Sequence, residues 1–233
     1  DGGTLQIGIG ALSDALVYGL LQRHQANAEW RAALDALPGG AYGALARRIG
    51  GDAPFARGLY GASEMVMYGF MHLRRAGILT RTVYDHLGLQ RLLNDGRIGP
   101  VADAATLDRL IEAGVVACPL DAPSLALLQR HGLVDAGTML VNGELHYADG
   151  SRGSADLHEH AARHALAARI AGRRLAGGRY LHGAFWLGTR ELIDWLGNLD
   201  GDDYSGLCMT RVSWINQLYG GREALDIAQR HQA

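Results

Sequence analysis

Two closely spaced glycines near the start of the chain are the first candidate for chemistry. Gly8 and Gly10 follow a short run of strand formers, Thr4 to Ile7, and precede a stretch in helical spacing that begins at Ala11. A strand, a glycine turn and a helix together direct helix-terminal N–H groups at an anionic or carbonyl ligand. A tight turn that binds nothing explains the same pattern. Ser13 stands where a dinucleotide-binding fingerprint needs its third glycine, so that fold is not predicted.

A histidine-rich stretch is the second candidate. His160 and His164 are four residues apart, so a helix places both on one face at a spacing that can bind a metal ion. His158 and Glu159 precede them, but the stretch is not an HExxH motif and no third ligand is evident. The pattern is more typical of a solvated helix face, and no metal is expected. A zinc-dependent hydrolase that uses His160 and His164 remains the weaker alternative.

A single carboxylate stands out in the segment GLYGASEMVMYG, where Glu64 lies among apolar residues. The segment predicts a helix from about Ser63, with Ser63 as its N-cap. A glutamate at that place favours the positive end of the helix dipole. It could equally position a substrate or act as a base. Both roles stay open.

The segment LHGAFWLGTRELIDW repeats the geometry of the first turn. Gly183 interrupts a core strand, and Gly188 ends the strand before a helix predicted from Thr189 to Leu196. Arg190 stands at the start of that helix, where a cation meets the positive end of the dipole. An external anion would explain this arginine, and so would exposure to solvent. No Ser/His/Asp or Cys/His arrangement can be defended from the spacing.

The elements that must position these residues alternate between strands and helices. Residue spacing predicts helices over 11–24, 29–37, 103–113, 121–131, 154–175 and 221–230. Asp121 is the predicted N-cap of the helix over 121–131, with Pro123 in its first turn. Asn142-Gly143 between two runs of strand formers predicts a type I′ hairpin. The alternation indicates an α/β fold with a largely parallel sheet, and no internal repeat is apparent.

Composition excludes several classes of protein. The chain has 233 residues with a formal net charge of −2, and its 22 cationic residues are scattered arginines that form no basic stripe, so no nucleic-acid partner is expected. No apolar run reaches the length of a membrane span, and no charged segment precedes an apolar run at the start. Cys118 and Cys208 are interpreted as reduced thiols of a cytoplasmic protein.

Four segments, taken together and in order, resemble one family. The acetyl-CoA hydrolase/transferase family, which is CoA transferase-like, has segments similar to GGTLQIGIGALSDAL, GLYGASEMVMYGFMHLRRAGIL, LHGAFWLGTRELIDWL and TRVSWINQLYG. The tract over 94–178 departs from the shorter members and is interpreted as an insertion that contains the hairpin. The resemblance implies an open, largely parallel sheet of the CoA-transferase type with flanking helices. It also implies that residues 1–56 are the tail of an N-terminal domain, and that 57–233 are most of a C-terminal domain.

The resemblance implies a function as well. Members act on short acyl-CoA thioesters through a nucleophilic glutamate. The resemblance puts this glutamate beyond Ala233, so no nucleophile is assigned within the chain. The chain is therefore interpreted as a fragment. The implied substrate-binding and CoA-binding residues are Gln6, Gly8, Gly10, Gly183, Gly188 and Arg190, with Glu64 as a positioning residue. The expected partners are an acyl-CoA, a carboxylate and a second copy in a homodimer. The alternative is a non-catalytic acyl-CoA-binding or regulatory protein that keeps the fold.

Overall fold

The structure, a computed structural model, describes residues 1–37 and 41–209. Its helices are α1 (Ala11–Gln25), α2 (Asn27–Ala36), α3 (Ala41–Ile49), α4 (Tyr68–Arg75), α5 (Leu87–Asn94), α6 (Thr106–Glu112), α7 (Ala122–Arg130), α8 (His160–Ile170), α9 (Arg190–Gly197) and α10 (Gly201–Gly206). Its strands are β1 (Thr4–Leu5), β2 (Tyr60–Ala62), β3 (Met65–Val66), β4 (Met139–Val141), β5 (Glu144–His146), β6 (Arg152–Ser154), β7 (Leu181–Gly183), β8 (Phe185–Trp186) and β9 (Leu207–Met209). These elements form two compact units: unit 1 contains the described residues of 1–83 and 179–209, and unit 2 contains 84–178.

Unit 1 is built on a parallel sheet. The strand order β1-β2-β7-β9 is also the order along the chain, and each neighbouring pair is parallel. β3 and β8 form a second, short parallel ladder directly after β2 and β7. This sheet with its helices confirms the α/β class.

Helices cover one face of this sheet. A Cβ on Gly61 would lie 2.5 Å from Leu181 Cδ1 and 2.9 Å from Phe70 Cε1, so β2, β7 and α4 meet on that face. α1 packs on α4, and α4 packs on α9. Right-handed crossovers between successive parallel neighbours place their helices on the same side, so this arrangement follows from the strand order. The buried core of unit 1 includes Ile7, Val17, Phe55, Leu59, Val66, Leu73, Ile78 and Leu79.

The segment after β2 differs from the predicted helix. β3 forms at Met65–Val66, and α4 begins only at Tyr68 with Met67 as its N-cap. The Ser63 hydroxyl caps no helix and instead donates a hydrogen bond to the carbonyl oxygen of Ile7. The prediction of a helix from Ser63 is therefore wrong, because pairing with β8 satisfies backbone groups that a helix would otherwise use.

α1 buries only part of its apolar surface. Val17 is buried and lies against Gly69 of α4, and Leu20 and Leu21 pack against the core. Leu12 is 85% exposed, and Leu16 is exposed as well. The close approach of α1 to α4 at a glycine thus decides which apolar side chains of α1 face the core.

Unit 2 combines helices with a three-stranded antiparallel sheet. The predicted hairpin is confirmed: β4 pairs with β5, and Asn142 and Gly143 have φ values of 50° and 80°. The predicted N-cap of α7 is also confirmed, because the Asp121 carboxylate accepts a hydrogen bond from the N–H of Ser124. The helix predicted over 154–175 is shorter, since β6 pairs with β5 and α8 begins at His160. Fully buried leucines of unit 2 include Leu89, Leu107, Leu110, Leu128, Leu133, Leu145 and Leu157.

An 18-residue repeat builds α5, α6 and α7, contrary to the expectation of no repeat. The copies are 85–102, 103–120 and 121–138, each with aspartate first, leucine at the fifth and eighth positions and glycine at the twelfth. The glycines Gly96, Gly114 and Gly132 have φ values of 67°, 67° and 70° and end the three helices in the same way. In the second copy, for example, the carbonyl of Leu110 accepts from the N–H groups of Val115 and Val116. The leucine spacing is also that of any amphipathic helix, which hides the repeat in the sequence.

The domain boundary near residue 56 and the insertion from about residue 94 describe a correspondence with the family and stay predictions, although unit 2 itself begins at Tyr84. The helix over 221–230 and the segment TRVSWINQLYG lie outside the described residues. In the part of the chain that the structure describes, no helix has both the length and the apolar character to cross a membrane.

Candidate functional site

Three of the predicted site segments meet where β1, β2 and β7 end. Ser63 joins them: its hydroxyl donates to the Ile7 carbonyl at 3.0 Å, and its N–H donates to the His182 carbonyl at 3.0 Å. Ser63 is only 2% exposed, so these bonds lie inside the protein. We call the resulting surface, formed by Gln6–Gly10, Ser63–Glu64 and Gly183–Ala184, the carboxyl edge. Ligands of open parallel sheets commonly bind outside this end of the strands.

Glu64 is the predicted residue at the centre of the carboxyl edge. Its carbonyl accepts hydrogen bonds from the N–H groups of Ala184 at 2.7 Å and Phe185 at 3.3 Å, which fixes its backbone beside Gly183. Its side chain is exposed. Because α4 begins at Tyr68, Glu64 does not lie in the first turn of that helix, and the dipole role considered for it is wrong. An exposed carboxylate on a fixed backbone can hydrogen-bond or orient a ligand.

The glycine turn lies beside it. Gln6, Gly8 and Gly10 are all exposed. Gly10 is the N-cap of α1 with φ 120° and ψ 170°, a region that is essentially restricted to glycine. A Cβ at Gly8 would have only one neighbour within 4 Å, the Ser13 hydroxyl at 3.9 Å, so packing does not require a glycine there. The backbone conformation at Gly10 therefore explains that glycine, whereas neither packing nor a positive φ explains Gly8.

The first turn of α1 has no side-chain cap. Neither Ser13 nor Asp14 caps it with its side chain; their N–H groups bond to the Gly10 carbonyl at 3.0 and 3.3 Å. The Asp14 carboxylate instead accepts a hydrogen bond from the Tyr68 hydroxyl, which raises the pKa of Tyr68. The earlier N–H groups of α1 lie next to the exposed turn, in a position to bind a carbonyl or carboxylate oxygen.

Two other predicted residues lie apart from these contacts. A Cβ at Gly188 would lie 2.7 Å from Leu192 Cδ2, so close packing within the start of α9 accounts for this glycine. The side chain of Arg190 is 93% exposed, and its Nε lies 3.8 Å from the Asp194 carboxylate. The Thr189 hydroxyl accepts from the N–H of Leu192 at 3.4 Å and caps α9. Among the described residues, Arg190 forms no hydrogen bond or ion pair with the carboxyl edge.

The histidine pair lies in unit 2, on α8. The rings of His160 and His164 stack with their centroids 6.3 Å apart and their planes at 19°. Within residues 1–37 and 41–209, no three His, Cys, Asp or Glu side chains are grouped so that they could hold a metal ion. The pair therefore supplies two potential ligands on a helix.

Sequence analysis missed a polar pair behind the carboxyl edge. Tyr60 on β2 hydrogen-bonds through its hydroxyl to His182 Nδ1 on β7, and both residues are buried. Burial, together with the charge of Arg179, lowers the pKa of His182 to about 4, so this imidazole is neutral at pH 7. Burial likewise lowers the pKa of Arg81 to about 10. Strand alternation could have shown that Tyr60 and His182 point away from Gly61 and Leu181, but only the pairing of β2 with β7 brings them together.

Comparison with known proteins gives no relative: no family model, no curated protein and no solved structure matches the chain. The geometry of the carboxyl edge is thus the basis for any functional conclusion.

Proposed function

We propose that the carboxyl edge binds the acyl end of a short acyl-CoA thioester. The chain would then be part of an acyl-CoA hydrolase or CoA transferase. The observation that carries the proposal is the pair of Ser63 hydrogen bonds, to Ile7 and to His182. These bonds join segments from three of the four stretches that resemble the acetyl-CoA hydrolase/transferase family. The fourth stretch lies outside the described residues.

The chemistry of the edge supports this choice of ligand. The thioester carbonyl or a product carboxylate needs hydrogen-bond donors where negative charge develops. The N–H groups after Gly8 and Gly10 are donors of this kind, and the positive end of α1 favours negative charge nearby. Gln6 and Glu64 add an exposed amide and an exposed carboxylate to the same edge. In this proposal Gly183, Gly188 and Arg190 border the acyl or CoA side of the ligand.

Calorimetric titration with acetyl-CoA, and separately with free CoA, tests the proposal. We expect acetyl-CoA to bind. Gly10→Ala should weaken that binding about fivefold, because alanine disfavours the backbone conformation at Gly10 and displaces a neighbouring N–H donor, whose hydrogen bond contributes about 1 kcal/mol. Gly77→Ala is the matched control, since Gly77 also has a positive φ of 74° with nothing within 4 Å of its Cβ position. Equal losses in both variants would attribute the effect to stability and would contradict the proposed site.

A second pair of variants tests Glu64. We expect Glu64→Gln to weaken acetyl-CoA binding more than the binding of free CoA, because Glu64 would orient the acyl end. Glu29→Gln on α2 removes another exposed carboxylate of unit 1 and should leave both affinities unchanged. Release of free thiol in the same samples distinguishes an enzyme from the alternative, an acyl-CoA-binding protein. Absence of acetyl-CoA binding would refute both the enzyme and the acyl-CoA-binding protein as functions.

A further inference from the structure

Unit 2 contains a cleft of about 520 Å³ between the turn that follows α6 and the helix α7. We call it the unit 2 cleft. Its apolar lining includes Val115, Val116 and Leu127, and its polar lining includes Arg130 and His131 at the end of α7. Asp121, Ser124 and His86 add further polar groups to the lining. A concave surface of this size that combines apolar side chains with polar groups is typical of small-molecule sites.

His131 lines this cleft and carries a buried hydrogen-bond acceptor. Its side chain is 1% exposed, and its Nδ1 lies 3.1 Å from the carbonyl oxygen of Ala176. A carbonyl only accepts hydrogen bonds, so Nδ1 carries the proton. Burial lowers the pKa of His131, so the ring is neutral and Nε2 is an acceptor. Among the described residues nothing bonds to Nε2, and a ligand that donates an N–H or O–H would satisfy it.

The repeat explains why an arginine borders the cleft. In the first two copies, the turn residue Arg97 and the helix residue Glu112 form an ion pair at 3.0 Å. Their equivalents one repeat later are Val115 and Arg130. Because Val115 carries no charge, this ion pair between turn and helix is lost, and Arg130 pairs with Asp85 instead. The Arg130 side chain remains 62% exposed, and its five N–H donors allow it to bind a second carboxylate beside Asp85.

We infer that the unit 2 cleft binds a small carboxylic acid with a branched apolar body and a hydroxyl or amino group next to the carboxylate. The carboxylate binds Arg130, and the adjacent donor binds His131 Nε2. The apolar body lies against Val115 and Leu127. Arg130 and His131 both line the cleft, as the site requires. This site is separate from the carboxyl edge and does not depend on the function proposed for it.

The first test uses 2-hydroxyisovalerate as the probe and isovalerate, which lacks the hydroxyl, as its comparison. We expect 2-hydroxyisovalerate to bind about fivefold more tightly in calorimetric titrations, which is the effect of one hydrogen bond. We also expect it to shift the ¹⁵N resonance of His131 Nε2, which isovalerate leaves in place. Equal affinities, or no binding of either acid, would overturn the inference.

Matched variants locate the binding. Ala126 lines the cleft on an exposed position of α7, so Ala126→Trp should fill the cleft and abolish binding. Ala122→Trp, on an exposed position of the same helix outside the lining, should bind as the unmodified protein does. Arg130→Gln should weaken binding about tenfold through loss of a charge-assisted hydrogen bond. Arg97→Gln removes a paired arginine elsewhere in the repeat and should have no effect on binding. The site would be refuted if the two tryptophan variants weakened binding equally, or if the two glutamine variants did.

Discussion

Acidification should destabilise the protein through His182. The pKa of His182 is about 4 in the folded chain against an ordinary value of 6.5, chiefly because burial disfavours the charged ring. Between these two values the unfolded chain binds a proton that the folded chain does not bind, so the free energy of unfolding falls as the pH falls from 6.5 to 4. Above pH 6.5 the ring is neutral in both states and contributes no pH dependence. The full difference corresponds to about 3 kcal/mol, at 1.36 kcal/mol for each pH unit.

Urea unfolding of the intact chain at intervals between pH 4 and 7 measures this effect. Burial also lowers the pKa of His131, so both the unmodified protein and His182→Asn retain that contribution. We therefore expect the variant to be less stable at pH 7 but to have a shallower dependence on pH, with the difference in slope confined to pH 4–6.5. Equal slopes, or an NMR titration of the His182 ring with a midpoint near 6.5, would refute the reasoning.

Three further substitutions test the packing around the site and the repeat. Ser63→Ala should lower the free energy of unfolding by about 1–3 kcal/mol in denaturant titrations, because it leaves the buried carbonyl of Ile7 without its donor; an unchanged midpoint would contradict the role of Ser63. Gly61→Ala should lower the free energy of unfolding by about 1–3 kcal/mol through overpacking. An unchanged free energy of unfolding would show that the sheet adjusts its packing at this position. Asp121→Ala should cost about 1 kcal/mol by removing the cap of the Ser124 N–H, and hydrogen exchange at Ser124 should accelerate; unchanged exchange would exclude the cap.

Much of the local structure followed from short-range chemistry in the sequence. Asn142-Gly143 determined a hairpin because few other dipeptides adopt positive φ at both positions. Asp121 determined the start of α7 because its side chain bonds to an amide only three residues away. The alternation of strands and helices was likewise enough to indicate a parallel α/β sheet. The 18-residue repeat was present in the sequence, but its glycine C-caps made it recognisable.

The candidate sites depended on partners far away in the chain. Ser63 looked like a helix cap, yet its hydroxyl bonds to Ile7, and Glu64 reached the carboxyl edge through bonds from Ala184 and Phe185. Neither the exposure of Arg190 nor the burial of His182 could be read from neighbouring residues.

The sequence by itself determined which turns, caps and strand-forming runs exist, because these depend on φ preferences and on bonds that span a few residues. Only the tertiary structure decided that three strand ends share one edge. It also decided that Arg130 lines one cleft together with His131, whose Nε2 has no partner among the described residues. Both outcomes result from packing between segments distant in sequence, where burial and strand pairing override local preference.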